Sequence, residues 1–238
     1  MDTVVLKNVE FGWDNSPDPI LSIDHLRLKK NSSLFLQGPS GSGKSTLLSL
    51  LAGILTPQTG KVEILGKAIN ELSGKQRDKF RADHIGYIFQ MFNLLPYLSV
   101  VENVTLPCDF SKYRRHKIGS SKDDVQNEAM RLLDKLGFTT SEMLNKSVTE
   151  LSLGQQQRVA ACRALIGSPE LLIADEPTSA LDAAAQEDFL ALLNEQCHNN
   201  DITMIFVSHD ERLSGQFDQV ARLKNGRVEL NSTKNATP

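Results

Sequence analysis

The sequence predicts an α/β fold, in which strands of a mostly parallel sheet alternate with helices. A buried-strand pattern at 33–37 (SLFLQ) leads through a glycine-rich loop into LLSLLAGIL, which is helix-like. Two further strand-then-turn units follow, LLIA before DEPTS and ITMIFV before SHDE. Ligands bind outside the carboxyl ends of the strands in such a sheet, so we expect the functional residues directly after these strands.

The N-terminal segments predict an antiparallel β subdomain beside that core. Residues 3–13 and 20–28 alternate apolar and polar side chains, and the polar, proline-containing turn DNSPDP lies between them. After the first helix, TPQTG breaks the helical pattern and KVEILGKAI returns to alternation. Near the end of the chain, Asn225-Gly226 within QVARLKNGRVEL predicts a hairpin.

The middle of the chain predicts a helical subdomain. IGYIFQ is typical of a buried strand that ends at Gln90, and the character of the sequence changes after it. Residues 122–136 carry apolar side chains at helical spacing. We therefore expect one domain over residues 1–238, with a mainly helical subdomain spanning roughly 91–160 inserted in its core.

Composition excludes several classes of function. A net charge of −3 gives no global attraction to nucleic acid. The longest apolar stretch, 47–55, is well short of the ~20 residues that cross a bilayer, and the N-terminus lacks a basic region followed by an apolar block. Cys108, Cys162 and Cys197 are odd in number and far apart, which argues against a disulfide framework or a zinc site. A cytoplasmic location fits these observations best.

Residues 38–46 (GPSGSGKST) match the phosphate-binding pattern G-x-x-x-x-G-K-[ST]. A glycine-rich turn is the alternative, but the order strand, loop, helix is the context that the motif requires. Glycines let the backbone approach an anion, and Lys44 is expected to reach the β- and γ-phosphates while Ser45 ligates magnesium. The predicted nucleotide contacts of this loop are Gly38, Pro39, Ser40, Gly41, Ser42, Gly43, Lys44, Ser45 and Thr46.

Polar residues follow the other predicted core strands. Asp175-Glu176 alone is more often a strand ending at a solvated turn, and a lone His209 is more often structural, but the phosphate loop reverses both interpretations. Asp175 is then expected to hold magnesium, and Glu176 to orient and deprotonate the attacking water. His209 is placed to hydrogen-bond the γ-phosphate, and Gln90 to touch both metal and water, so that the set supplies what phosphoryl transfer needs.

The stretch LSLGQQQR has two interpretations. Ser152 with Gln155 three residues later is a capping box at the start of an amphipathic helix, and alone that interpretation would be preferred. Followed by LLIADEPTSALD, however, the stretch resembles the signature region of the ATP-binding cassette (ABC) family. The resemblance covers nearly the whole chain: GPSGSGKST as Walker A, Gln90 as the Q-loop residue, LSLGQ as the signature, LLIADE as Walker B, SALD as the D-loop and His209 as the switch histidine.

The resemblance implies a P-loop NTPase (RecA-like) core that binds ATP and Mg²⁺, with Lys44, Gln90, Glu176 and His209 in catalysis and Ser45, Gln90 and Asp175 at the metal. It implies a second ABC ATPase subunit, as a homo- or heterodimer, whose ATP would meet Ser152, Gly154 and Gln155, with Asp182 in the D-loop. It also implies that Trp13 stacks on adenine, with Phe11 as a second candidate; a strand-edge core aromatic is the alternative for Trp13.

Within the family, IGYIFQMFNLLPYLSVVENVTLP is similar to the ATPase subunits of lipoprotein-release and macrolide or peptide exporters. Such subunits are peripheral on the inner face of the cell membrane and drive a separate permease. The resemblance implies that the segment after Gln90 receives a helix of that permease, and apolar Phe92, Leu94 and Leu95 suit such a groove, although they equally suit a core. The basic run 112–117 (KYRRHK) faces either anionic headgroups or solvent in a loop.

One position departs from the family pattern. The signature is usually LSGGQ, and here its third residue is Leu153, which puts in doubt how well the signature closes on nucleotide. A second class, an ABC ATPase that moves no solute and acts by ATP-gated dimerisation, generally carries additions for which this chain has no room. A P-loop kinase acting on a small acceptor does not explain LSLGQ and SALD.

Overall fold

The computed structural model describes residues 1–13, 18–119, 121–138 and 146–231. Most of the predicted turn DNSPDP, residues 14–17, lies outside the described residues. The chain divides into two compact units, one built from residues 1–81 with the described residues from Thr203 onward, the other from Ala82–Ile202. Each unit is described by itself.

The strands are β1 Asp2–Phe11, β2 Leu21–Lys29, β3 Ser33–Gln37, β4 Thr59–Ile64, β5 Lys67–Ala68, β6 Ile85–Ile88, β7 Leu171–Asp175, β8 Thr203–Val207, β9 Gln219–Lys224 and β10 Arg227–Asn231. The helices are α1 Lys44–Leu51, α2 Gly74–His84, α3 Val100–Thr105, α4 Pro107–Phe110, α5 Lys112–Ile118, α6 Lys122–Lys135, α7 Leu153–Leu165 and α8 Ala183–Asn199. Short 3-10 turns lie at Ile69–Glu71, Val148–Glu150 and Glu211–Gln216.

The first unit contains the predicted antiparallel subdomain, a sheet in the order β2-β1-β4-β5. Val4 and Leu6 of β1 are buried, and after a register shift the buried positions become Val9 and Phe11. The shift falls at Asn8, whose φ of 49° marks an irregularity in the strand. The apolar pattern of β1 is therefore two alternating halves that are out of phase by one residue.

The same unit holds four strands of the core in the order β10-β9-β3-β8. β3 pairs in parallel with both β8 and β9, and its residues Leu34, Phe35 and Leu36 are almost completely buried. A strand buried on both faces explains why SLFLQ is a continuous apolar run rather than an alternating one. β9 and β10 form an antiparallel pair across Asn225-Gly226, which confirms the predicted hairpin.

The second unit joins a parallel pair of strands, β6 and β7, to the helices α3 to α8. The helix predicted over 122–136 is confirmed as α6, with a capping box at Ser121 and with Val125, Ala129 and Leu132 on its buried face. α7 packs against α3, α6 and β6. The helical region is thus a packed layer, and its core is continuous with the face of β6 that α7 covers.

None of the described helices is both long enough and apolar enough to cross a bilayer. The three cysteines are free thiols and all are buried. Burial raises the pKa of Cys108 to about 11 and that of Cys197 to about 12, and it raises the pKa of Cys162 as well. These side chains are therefore protonated, unreactive parts of the core at neutral pH.

Candidate nucleotide-binding site

The backbone of the phosphate loop has no room for side chains at two of its glycines. A Cβ on Gly38 would lie 2.3 Å from the carbonyl oxygen of Leu223, and one on Gly43 would lie 2.8 Å from Cδ2 of Leu21. Gly43 also has a φ of 100°, which side chains disfavour. The two ends of the loop therefore pack closely against β9 and β2, whereas Pro39, Ser40 and Gly41 at its tip are exposed.

Helix α1 presents its amino end to this loop. Its cap is Gly43, which offers no side-chain acceptor, and the first helical bond runs from the Leu47 amide to the Gly43 carbonyl. The N–H groups of residues 44–46 precede that bond, so they carry the positive end of the helix without an intrahelical acceptor. Ser42 Oγ is buried and finds no hydrogen-bond partner among the described residues. This donor set fits a phosphate group.

Lys44 and Ser45 occupy the first turn of α1. The Lys44 ammonium donates to the carbonyl oxygens of Gly38 at 2.8 Å and Pro39 at 3.1 Å, which holds its charge over the loop. Ser45 is exposed, and its backbone carbonyl accepts a hydrogen bond from the hydroxyl of Ser49. The cation and the hydroxyl predicted to meet phosphate and metal therefore lie on the same helical end.

The parallel pairing of β3 and β8 brings His209 to the edge of the sheet that carries the phosphate loop. Leu36 is in register with Val207, so Gly38 and His209 each lie two residues beyond paired positions. His209 is exposed. The next residue, Asp210, is hydrogen-bonded by Arg212, which lowers the pKa of that carboxyl and keeps it charged beside the histidine.

In the second unit, β6 and β7 bring Gln90 and the carboxylate pair to one edge. Ile88 is in register with Ala174, so Gln90 and Glu176 each lie two residues beyond paired positions. Gln90 is exposed, in a turn closed by a hydrogen bond from the Phe92 amide to the Phe89 carbonyl. Asp175 is half-buried at the last position of β7.

Glu176 has an unusual backbone. Its φ of 45° lies in the left-handed region, which costs a residue with a side chain of order 1 kcal/mol. The carboxylate leaves the strand at a sharp turn as a result, between half-buried Asp175 and buried Pro177. Backbone strain at a polar residue that directly follows a core strand is typical of a functional site, where the direction of the side chain has to be fixed.

The capping-box interpretation of LSLGQ is confirmed, and it leaves the functional interpretation open. Ser152 Oγ accepts from the Gln155 amide, and Gln155 Oε1 accepts from the Ser152 amide at 2.9 Å. A Cβ on Gly154 would meet only the Leu181 side chain, at 3.6 Å. Asp182 caps α8 by accepting from the Ala185 amide at 2.9 Å, so one of its oxygens already has a structural role.

Residues 21–179 match the family model described as ABC transporter. The chain belongs to the ABC transporter family. It is 38% identical over 210 residues to the uncharacterized ABC transporter ATP-binding protein YbbA of Escherichia coli (strain K12), with 88% of each chain covered. It is 35% identical to the macrolide export ATP-binding/permease protein MacB of Rhodopirellula baltica, in a match that covers 88% of this chain and 30% of that protein.

A solved ABC cassette has the same fold. The dimeric structure of a post-hydrolysis state of MJ0796, bound to ADP and Pi, superposes with a TM-score of 0.87 at 34% identity and covers 98% of this chain and 99% of that one. That protein comes from Methanocaldococcus jannaschii. The ABC fold predicted from the sequence is confirmed, and the chain is an ATP-binding, ATP-hydrolysing subunit of a transporter.

In this ABC ATPase the two candidate adenine-stacking residues differ in exposure. Trp13 is 54% exposed, with its ring edge-on to Phe11 at 5.1 Å between centroids, whereas Phe11 is 6% exposed. The alternative of a core aromatic describes Phe11 and not Trp13. An exposed indole with a buried ring behind it is suited to stack on a planar ligand.

The apolar residues after Gln90 do not all line a groove. Phe92 is 5% exposed, so of the two alternatives the core describes this residue. Leu94 and Leu95 are half-buried. The exposed large side chains of this loop are instead Met91 and Tyr97, at 80% and 78% exposure.

The basic run KYRRHK is neither a solvated loop nor a uniformly exposed basic face. It forms α5, which Ser111 caps, and Arg114 is 2% exposed with its guanidinium donating to the carbonyls of Ile85, Ala164 and Ile166. Burial lowers the pKa of Arg114 to about 10. The pattern misled because helical spacing in so short a run does not reveal which basic residue turns inward.

The sequence gives only a weak signal for two further residues near Gln90. Arg163, inside the apolar VAACRALIG, contacts the loop after Gln90, and Asn103, inside VVENVT, is completely buried. A polar side chain at a position that helical periodicity assigns to the buried side of an amphipathic helix is the one cue that was present.

Proposed function

We propose that this cassette binds Mg-ATP at residues 38–46, pairs face to face with a second cassette, and hydrolyses ATP to drive a separate membrane permease. The observation that carries the proposal is the phosphate loop, with its closely packed glycines, its uncapped helix end and Lys44 folded over the loop. We further propose that residues 1–238 form one ABC domain with a helical subdomain at roughly 91–160; the packing of α3 to α7 supports that division.

The metal would be held by Ser45, Gln90 and Asp175, all of which offer oxygen atoms, the donors that Mg²⁺ prefers. When bound, the metal neutralises charge that develops on the transferred phosphoryl group. Ser45 is exposed in the first turn of α1. Gln90 follows strand β6, and Asp175 is the last residue of strand β7. The donor set is chemically suited to magnesium.

Glu176 acts as the general base in this proposal. It accepts a proton from the attacking water, and its turn at the end of β7 fixes the direction in which the carboxylate leaves the strand. His209 donates to the γ-phosphate from the end of β8, and Lys44 stabilises charge on the β- and γ-phosphates. Each residue positions a reacting group or stabilises charge on the phosphates, and these are the two contributions that phosphoryl transfer requires of a protein.

The second cassette completes each site. The amino-terminal end of α7, with Ser152, Gly154 and Gln155, is exposed or half-buried, and its first turn contains no acidic residue. We propose that it meets the ATP held by the partner cassette, with Asp182 near the same interface. The family membership and the dimeric form of MJ0796 support this arrangement.

The permease would dock on the second unit. A cleft of about 470 Å³ is lined by apolar and charged residues of α3, α4, α5 and α6 and of the loop before α3. Its lining includes Leu98, Val101, Leu106 and Val125, together with Glu102, Asp109, Arg115 and Lys122. An amphipathic helix fits such a cleft, and occupation by a membrane subunit would hold the cassette on the inner face of the membrane. We propose an exporter of the lipoprotein-release or macrolide type, supported by the similarity to MacB.

Lys44→Ala tests the nucleotide site directly. The variant should lose ATP binding while the thermal unfolding midpoint stays within about 2 °C, because the Lys44 ammonium donates to two loop carbonyls and not to the core. Nucleotide affinity by titration calorimetry and unfolding by differential scanning are measured on the same preparation. Unchanged affinity would overturn the assignment of the phosphate site.

A further inference from the structure

The loop that follows Gln90 lacks regular structure but has a defined backbone. After the turn closed by the Phe92 amide, the Asn93 amide donates to the Met91 carbonyl at 2.6 Å. Phe92 and Asn93 are consecutive residues in the left-handed region, with φ of 59° and 50°. Two adjacent conformations of this kind are unfavourable for residues with side chains, so contacts from elsewhere must maintain them.

Arg163 of α7 supplies those contacts. Its guanidinium donates to the Phe92 carbonyl at 2.5 Å and to the Asn93 carbonyl at 2.7 Å, a forked contact with two consecutive peptides. Within the part of the chain that the structure describes, no carboxylate pairs with it. Burial lowers its pKa, so the cation depends on these carbonyls for the solvation it has lost.

The far end of the same loop is tied to α3. The Asn103 side chain is completely buried, accepts from the Leu95 amide at 2.8 Å, and donates to the carbonyls of Leu95, Leu98 and Ser99. The loop is thus fixed at its start by α7 and at its end by α3. Only the first of these ties is adjacent to the Gln90 turn.

We propose that Arg163 is a positioning residue for hydrolysis: it joins the Gln90 turn to the helix that begins at the signature, so that Gln90 and LSLGQ move together. The inference rests on the proposed function, because it assigns Gln90 to the metal and the attacking water. The chemical basis is that a planar guanidinium presents two N–H groups to neighbouring carbonyls in a fixed fork, whereas a lysine ammonium on its flexible stem does not fix that geometry. Loosening the turn displaces Gln90 without touching the residues that hold phosphate.

The loop itself offers a matched pair of variants. The Asn93 side chain is exposed, so replacing it removes no core packing. Asn93→Gly keeps the left-handed backbone and hence the carbonyl that faces Arg163, whereas Asn93→Val disfavours that backbone because a β-branched side chain is strained there. Asn93→Val and Arg163→Lys should therefore have the same effect by independent routes, and Asn93→Gly should have none.

The experiment measures steady-state hydrolysis of Mg-ATP and equilibrium nucleotide binding for the full chain and these three variants. We expect kcat to fall about 10-fold or more in Arg163→Lys and Asn93→Val, since small displacements of positioned groups have effects of that size, with nucleotide affinity within about twofold of wild type. Asn93→Gly should retain wild-type kcat. Arg114→Lys is the control for stability alone, because Arg114 also donates to three buried carbonyls, whereas none of its side-chain hydrogen bonds within the described residues reaches residues 89–93.

The outcomes distinguish failure of the positioning role of Arg163 from failure of the proposed ATPase function. Equal kcat for Asn93→Val and Asn93→Gly at equal folded fraction overturns the positioning role, as does a fall in Arg114→Lys as large as that in Arg163→Lys. If Arg163→Lys does not fold, the Asn93 pair decides alone. A wild-type chain that neither binds nor hydrolyses Mg-ATP overturns the proposed function, and with it this inference.

Discussion

At the scale of single residues, the backbone of Glu176 constrains what a variant can reveal. Because its φ of 45° is unfavourable for most side chains, replacements of different shape would change the turn as well as the carboxylate. Gln keeps the shape and the backbone preference of Glu. Glu176→Gln therefore isolates the loss of the proton acceptor.

We expect Glu176→Gln to bind Mg-ATP, to lose turnover by about 100-fold or more, and to accumulate as an ATP-dependent dimer. In the proposed dimer, binding without hydrolysis would keep nucleotide between Lys44 of one subunit and Ser152 of the other, and ligand that binds only the dimer stabilises it by mass action. Size-exclusion chromatography with light scattering, with and without Mg-ATP, reports the dimer. Turnover at the wild-type rate would show that Glu176 is not the base.

Leu153 is the second residue for which the structure supports a specific variant. It is the first residue of α7 and is 56% exposed, so it packs against little in its own chain and lies beside the signature serine. Leu153→Gly should raise the ATPase rate of a homodimer, because the bulky side chain is removed from a surface that has to close. The cost in helix stability is at most about 1 kcal/mol.

The measurement is turnover at saturating ATP, with Leu153→Ala as a comparator that shortens the side chain without introducing glycine. If both variants hydrolyse ATP no faster than wild type at matched folded fraction, obstruction by Leu153 is excluded. Combining Leu153→Gly with Glu176→Gln then distinguishes a disabled signature from an obligate heterodimer, since only the former gains an ATP-dependent homodimer.

At the scale of elements, the start of β7 is joined to α5 and to the end of α2 through one carboxylate. Glu170 accepts hydrogen bonds from His84, Tyr113 and Lys117 at 2.7–3.0 Å. Burial would raise the pKa of Glu170, but these donors more than offset it and lower the pKa to about 2. The carboxylate therefore holds three side chains from two helices in place.

Glu170→Gln should lower the free energy of unfolding at pH 7 by about 1–2 kcal/mol, a value reduced by the partial exposure of the site. Because the pKa is depressed in the folded state, the stabilisation is complete above the ordinary value of 4.5 and is lost as the pH falls towards about 2. The difference between wild type and variant, measured by denaturant unfolding across that range, should shrink accordingly. Glu229→Gln, at an exposed position, is the control for removal of a carboxylate charge.

Some structural elements could be predicted from the sequence and others could not. β3 and the capping box of α7 were predictable because their signals are local: a buried apolar run, and a serine with glutamine three residues on. The phase change in β1 and the inward turn of Arg114 were not, because each depends on a partner far along the chain. The same holds for Arg163, whose carbonyl partners lie 70 and 71 residues before it.

At the scale of the whole molecule, the phosphate loop depends on the far end of the chain. Gly38 lies against the backbone of Leu223, so Gly38→Ala should force the loop and β9 apart. We expect a loss of about 1–3 kcal/mol in stability together with weaker ATP binding, which contrasts with the stability-neutral loss expected for Lys44→Ala. Calorimetry and thermal unfolding are again compared, with Gly74→Ala, where an added methyl group meets no atom within 4 Å, as the control.

If Gly38→Ala left both the stability and the ATP affinity unchanged, the close approach of the loop to β9 would contribute to neither. A loss of affinity without a loss of stability would place the effect in the loop alone. Only the joint loss supports the dependence on β9.

The pairing of β3 also orders events during synthesis. Phe35 is in register with Phe206 of β8 on one side and with Val220 of β9 on the other, so both neighbours of the strand that leads into the phosphate loop are translated long after it. Contacts of such large sequence separation form late in folding. A growing chain can therefore complete this strand only once residues 219–224 have left the ribosome, and until then its apolar face is a natural substrate for chaperones.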